Sequence, residues 1–163
     1  MRRHLLPSVV IASALVVGSV GAPAEATARK PKISTGHYVG SENPEQPNGF
    51  DAIVFTFDVK KKRKRYTVRN FTIAMNVVCS GLPLYTEYVV QPMHTMKVNS
   101  RNGRFRDTVK GTTDGGTTYT VKVSGRLSGK RVKSGSMSYD VGVCQRGTGD
   151  DGPVAWVGRK ARK

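Results

Sequence analysis

Apolar and polar residues alternate in short stretches along most of the chain. The clearest stretch is "FDAIVFTFDV", in which Ile53, Phe55, Phe57 and Val59 share one face while Val54, Thr56 and Asp58 share the other. Alternation with β-branched and aromatic residues is the pattern of a half-buried strand. "GHYVG" (36–40) reads as a short strand before it, separated by the turn-forming loop "SENPEQPNG" (41–49). Downstream, "YTVRNFTIAMNVVCS" puts Phe71, Ile73, Met75, Val77 and Cys79 on one face, with Tyr66 and Val68 out of phase. That phase break predicts a bulge near Arg69-Asn70. "SGLP" (80–83) interrupts the chain, and "LYTEYVVQPMHTMKV" is extended again, with Pro92 arguing for an edge or a bend. Asn102-Gly103 is a hairpin signal, residues 111–116 form a turn, and Ser128-Gly129-Lys130 turns a further hairpin. Met137, Tyr139 and Val141 share a face in its second strand. A glycine-rich loop after Cys144 leads to a last short strand with Val154, Trp156 and Gly158 on one side. No stretch sustains a 3.6-residue apolar period. The pattern predicts an all-β fold, an antiparallel sandwich or barrel of about eight strands. Alternation alone does not decide whether it closes.

The first 28 residues stand apart. Arg2 and Arg3 precede an apolar stretch from Leu5 to Val20, and Ala26-Thr27-Ala28 fits a small-x-small cleavage site. This is the layout of a secretory signal peptide. The apolar core, Val9 to Val20, which holds Ser13, Gly18 and Ser19, is shorter than the ~20 residues that a spanning helix needs. The arginine pair leaves open the general and the twin-arginine export routes. The expected organisation is a cleaved signal over 1–28, a basic lead-in over 29–35, one β domain over 36–158 and a basic tail over 159–163. Removing the signal takes Arg2, Arg3 and Glu25 from totals of 27 basic and 11 acidic residues. It leaves 25 and 10, a net charge of +15 on 135 residues.

Export changes the reading of the cysteines. Cys79 and Cys144 are the only two, and an even count in an exported chain reads first as a disulfide. Two buried thiols, or a metal site using His37 or His94, are the alternatives; no ligand-like spacing favours the metal. Export also changes the reading of the charge. "VKKKRKRYTV" holds six consecutive cations, Lys60, Lys61, Lys62, Arg63, Lys64 and Arg65. In an intracellular chain such a run suggests nuclear import or nucleic acid. Between two alternating strands of an exported domain it is a hairpin connection. Further basic segments occupy residues 29–32, 101–106, 129–133 and 159–163. A charge of this size predicts attraction to polyanions. Lys60 to Arg65 with Lys130, Arg131 and Lys133 are the candidate polyanion-binding residues, on the condition that the tips meet at one end. If they are spread around the domain, they only keep it soluble.

The succession "GHYVG", "IVFTFDV", "FTIAMNVVC", "NGRF", "YTVKVSGRLSGKRVKSGSMSY" and a closing "C…GPVAW" resembles small secreted β-domain proteins common in actinobacterial genomes. The resemblance covers nearly all of the chain after the signal. It implies a compact barrel or jelly-roll-like domain with a recurrent cysteine pair at the positions of Cys79 and Cys144, and no established activity. The basic first hairpin and basic C-terminus depart from it.

Catalytic patterns are scarce. "GRLSG" and "KSGSM" miss the spacing of a nucleophile elbow, and His37 and His94 are the only imidazoles after the signal. Asp150-Asp151 could bind a cation, but a solvated turn is the favoured reading because a calcium site needs six or more oxygens. No phosphate-cradling loop or dinucleotide fingerprint occurs, so no cofactor is expected. Aromatic residues mostly fall on core faces, and Tyr66 is one candidate to stack on a base, so specific nucleic-acid binding is not expected. The leading expectation is a non-enzymatic exported domain held at the cell envelope by anionic polymer or acidic glycan. The competing ones are an extracellular inhibitor or protein-binding module acting through loops 41–49 or 144–153, and a secreted hydrolase without a recognisable motif.

Overall fold

The computed structural model describes residues 30–42, 45, 52–113, 115–150 and 152–162. The signal segment and most of the 41–49 loop lie outside these. The described chain is all-β, with ten strands: β1 Gly36–Ser41, β2 Val54–Lys62, β3 Arg65–Cys79, β4 Tyr85–Pro92, β5 Met96–Val98, β6 Arg104–Thr112, β7 Thr118–Ser128, β8 Arg131–Val141, β9 Cys144–Arg146 and β10 Val154–Lys160. The expectation of about eight strands missed β9, which is too short for alternation to show, and joined β4 to β5 as one extended stretch.

Closure is now decided. β10 pairs with both β1 and β8, and β9 pairs with both β3 and β8. The cycle β1–β2–β3–β9–β8–β10 is therefore a closed antiparallel barrel of six strands. β4 and β5 add to the opposite edge of β3, and β7 with β6 extends from the opposite edge of β8.

Inside, the alternating faces meet as predicted. Phe55, Phe57, Phe71, Ile73, Met75, Val77 and Trp156 are essentially fully buried. Trp156 stacks on Phe55 at 4.4 Å between ring centroids, and Phe57 stacks on Phe71 at 5.0 Å. Phe105 joins this cluster from β6, 5.9 Å from Phe57. Burying each such ring contributes about 1.5–3 kcal/mol. The Trp156 ring lies against the backbone of β8, where a Cβ on Gly135 would come within 2.4 Å of it. Glycine there is what allows the ring to reach the centre.

The bulge expected near Arg69-Asn70 is present. Between the pairs Thr56↔Thr72 and Asp58↔Arg69, β3 carries one residue more than β2. Asn70 absorbs it at φ 51°. This is why Val68 and Phe71, three residues apart, both point inward. A second bulge lies between β7 and β8, where Arg126↔Lys133 and Ser124↔Ser136 enclose one residue on β7 and two on β8. Ser134 sits in it at φ 51°.

Candidate polyanion-binding surface

Register fixes which ends of the strands lie together. β1 begins at Gly36↔Val59, so Lys60, Lys61 and Lys62 run past it and pair only with β3, down to Lys62↔Arg65. The turn is only Arg63 and Lys64, and all six cations of the run are exposed. The run is thus the end of two strands plus a two-residue turn, rather than a connection alone.

The remaining basic segments close around the same end. β5 pairs with the start of β3 through Val98↔Tyr66, so the 99–103 loop emerges beside the hairpin. The Leu127 amide donates to the Gly103 carbonyl at 2.9 Å, tying that loop to the end of β7. The Gly129 amide donates to the Lys32 carbonyl at 2.6 Å, and the Lys160 amide to the Lys130 carbonyl at 2.8 Å. Arg159 lies opposite Arg131. In their described residues, all five basic segments therefore meet at one end of the barrel.

One described acid, Asp58, borders this end two positions before Lys60, whose charge acts on it; others lie farther away. Glu42 follows the far end of β1, where Arg146 binds it at 2.8 Å. Glu87 and Asp140 lie opposite Val77 and Thr120, also away from the basic end. Asp58 and Asp107 are each engaged by a histidine, at 3.2 Å from His37 and 3.1 Å from His94. Among the described residues, none of the candidate cations forms a salt bridge.

Of the candidates, Lys130 and Arg131 belong to this basic end together with Lys60 to Arg65. Lys133 belongs to a different feature. It lies opposite Arg126, which lies opposite Arg104, so three cations form a row across β8, β7 and β6. Like charges directly opposite one another destabilise a sheet. The row flanks a groove of about 750 Å³, whose cations are Lys97, Arg104, Arg106 and Arg126. The Arg126 Nε donates to the Asn102 carbonyl at 3.0 Å, which anchors that guanidinium. A smaller cavity of about 250 Å³ continues along the sheet and shares Arg106 and Ser124 with the groove. Arg126 and Lys97 escaped the sequence reading. Arg126 had a signal, since Lys122, Ser124 and Arg126 alternate with the buried Val121 and Val123. Lys97 had none, being a lone cation on a three-residue strand.

The chain does not match any family model, curated protein or solved structure. Function therefore has to be argued from the geometry itself.

The other candidates resolve as follows. Cys79 and Cys144 form a disulfide that joins β3 to β9. Among the described residues the one grouping of potential metal ligands is Cys79, Glu87 and Cys144, and its two sulfurs are bonded to each other. Both histidines cross-tie strands. The Asp58 carboxylate bridges His37 on β1 and the Asn70 amide in the β3 bulge, and Asp107 accepts from the His94 amide at 2.8 Å. No hydroxyl or thiol is hydrogen-bonded to either imidazole among the described residues. The Asn70 amide, with smaller help from His37 and Lys60, holds Asp58 below the usual aspartate range against its partial burial. Tyr66 is taken up by its own hairpin, with the Lys61 ammonium 5.3 Å over its ring. Among the described residues no helix is long and apolar enough to cross a membrane.

Proposed function

We propose that the protein is an exported, non-enzymatic β-barrel domain that holds to anionic polymer of the cell envelope through its basic end. The observation that carries this reading is the convergence of basic segments on one end of the barrel, with the acids Glu42, Glu87 and Asp140 placed away from it. Scattered cations would only solubilise the domain; gathered ones add their potentials and attract a polyanion from a distance. The signal-like N-terminus and the disulfide support export, since a disulfide persists in an oxidising compartment. The resemblance to small secreted actinobacterial β-domain proteins is in keeping with this.

The experiment is retention on a polyanion column as a function of salt. The protein is expected to bind at low ionic strength and to elute before about 1 M salt, where the screening length is ~3 Å. Replacing Arg63 by glutamine should advance elution clearly more than replacing Lys110, which lies away from the basic end. Equal effects of the two would mean that net charge alone acts. Washing cells with molar salt should release the protein, and its failure to do so would remove electrostatic retention.

A further inference from the structure

The groove beside the basic end differs from it in kind. The basic end is a protruding, solvated tip, whereas the groove is concave and combines cations with neutral hydrogen-bonding groups. Lys97 comes from β5, Arg104 and Arg106 from β6, and Ser124 and Arg126 from β7. Ser134 of β8 closes one side, and Asn99 and Asn102 line the loop edge. Two features are costly unless a ligand offsets them. Arg104, Arg126 and Lys133 stand directly opposite one another with no acid between them. Ser134, a residue with a side chain, occupies a left-handed backbone conformation that glycine would fill with less strain. Strain of this kind clusters where a side chain is held for a purpose.

We propose that this groove is a binding site for a phosphodiester-linked polyhydroxy chain, one phosphate lying among Lys97, Arg104 and Arg126 and the flanking hydroxylated units reaching the serines. This rests on the polyanion reading above and names its ligand. Three considerations select the chemistry. Arginine presents a planar fork of donors suited to phosphate oxygens. The donors come from three strands around a concavity, which suits a tetrahedral oxyanion whose oxygens point several ways; a planar carboxylate is satisfied by a single fork. Beyond Arg106, the adjoining cavity continues with Lys122, the hydroxyls of Ser124, Ser136 and Ser138, and Asp107, whose carboxylate is engaged by His94. Cation and hydroxyl succeed each other there, as anion and hydroxyl do in a sugar or polyol phosphate chain. Arg126 spends its Nε on the Asn102 carbonyl, and its two terminal amino groups have no partner among the described residues.

The test is titration calorimetry with a short oligo(glycerol phosphate), with glycerol 3-phosphate as the monomer and oligogalacturonate as the carboxylate counterpart. Measurements at about 0.05 M and 0.5 M salt separate the two surfaces, because the screening length falls from above 10 Å to roughly 4 Å. At high salt the oligomer should still bind, saturably, and at least tenfold more tightly than either comparison ligand. Lys97→Gln with Arg104→Gln should weaken that binding roughly tenfold or more, the scale of losing charge-assisted hydrogen bonds. Neither side chain makes a hydrogen bond within the described protein, so the fold should survive, as a thermal midpoint at or above that of the wild type would verify. Ser134→Gly should also weaken binding while leaving the fold intact. Replacing residues 60–65 by glutamine should reduce only the low-salt binding. Unchanged high-salt affinity in the groove variants would overturn the proposal. Equal affinity for oligogalacturonate would overturn the phosphate assignment, and equal affinity for glycerol 3-phosphate the chain. If the 60–65 variant binds as the wild type at low salt, the basic end fails as a retention surface while the groove stands.

Discussion

Among the described residues, three other than glycine hold positive φ angles: Arg63 at 54°, Asn70 at 51° and Ser134 at 51°. The left-handed region costs an ordinary L-residue about 1–2 kcal/mol, and asparagine is among the few that enter it readily. Asn70 also recovers a hydrogen bond, donating to Asp58 at 3.0 Å. Arg63 and Ser134 gain no comparable contact, and each lies on a surface argued above to bind anions. Arg63→Gly and Ser134→Gly should therefore each stabilise the protein by about 1 kcal/mol, through relief of backbone strain. The measurement is a pair of thermal melts alongside binding, and a gain in stability with weaker binding is the expected pattern. Asp58 supports a second prediction. Its folded-state pKa lies below the ordinary aspartate value of 3.8. A depressed carboxylate contributes stability above its unfolded value, and that contribution is lost as pH falls through the folded one. Stability should thus fall below about pH 4, and Asp58→Asn should flatten that acid limb, as melts between about pH 5 and 2 would reveal.

Among the elements, β9 is the smallest and has a disproportionate role. Three residues long, it bridges β3 and β8 and completes the barrel. Its hold on β3 is two residue pairs, one of them the disulfide-bonded Cys79↔Cys144. The crosslink spans 65 residues of sequence. Removing it by Cys79→Ala with Cys144→Ala should cost roughly 2–4 kcal/mol, chiefly by freeing the unfolded chain. Hydrogen exchange should quicken first at residues 78–79 and 144–146, and uniform quickening would mean that β9 does not open separately. Long strands were legible because alternation repeats in them: β2 and β3 bury the residues predicted, and the phase break at Val68 marked the bulge. β9 was not legible, because three residues carry no period and its β3 partner Cys79 lies 65 positions away. The second bulge went unread, although the buried Val132 and Met137 are out of phase across it. Closure itself depends on pairings between β1 and β10 and between β3 and β9, which no local pattern encodes. The candidate surface was half legible for the same reason. Its contiguous cations stand out in sequence, whereas the row Arg104, Arg126 and Lys133 exists only across three strands.

At the scale of the whole molecule, the basic segments gather at one end and the described acids Glu42, Glu87 and Asp140 lie toward the other. The far end also carries exposed apolar residues. Leu82, Leu84 and Val143 leave most or about half of their surface uncovered, and the Ser80 amide holds Val143 in place through its carbonyl at 2.8 Å. The side of β4 continues this surface with the exposed Tyr88 and Val90. Such a separation of charge gives the barrel a dipole moment along its axis. In the field of an anionic surface it turns before it touches, so that it arrives with one end leading. Neutron reflectometry on a polyanion-coated support should find a single layer as thick as the barrel is long, whereas a mixture of lying and standing molecules would blur it. A layer so aligned would hide the lysine-rich tips and present to the outside Leu82, Leu84 and Val143 among acidic side chains, exchanging a cation-seeking face for one that offers apolar contacts and negative charge.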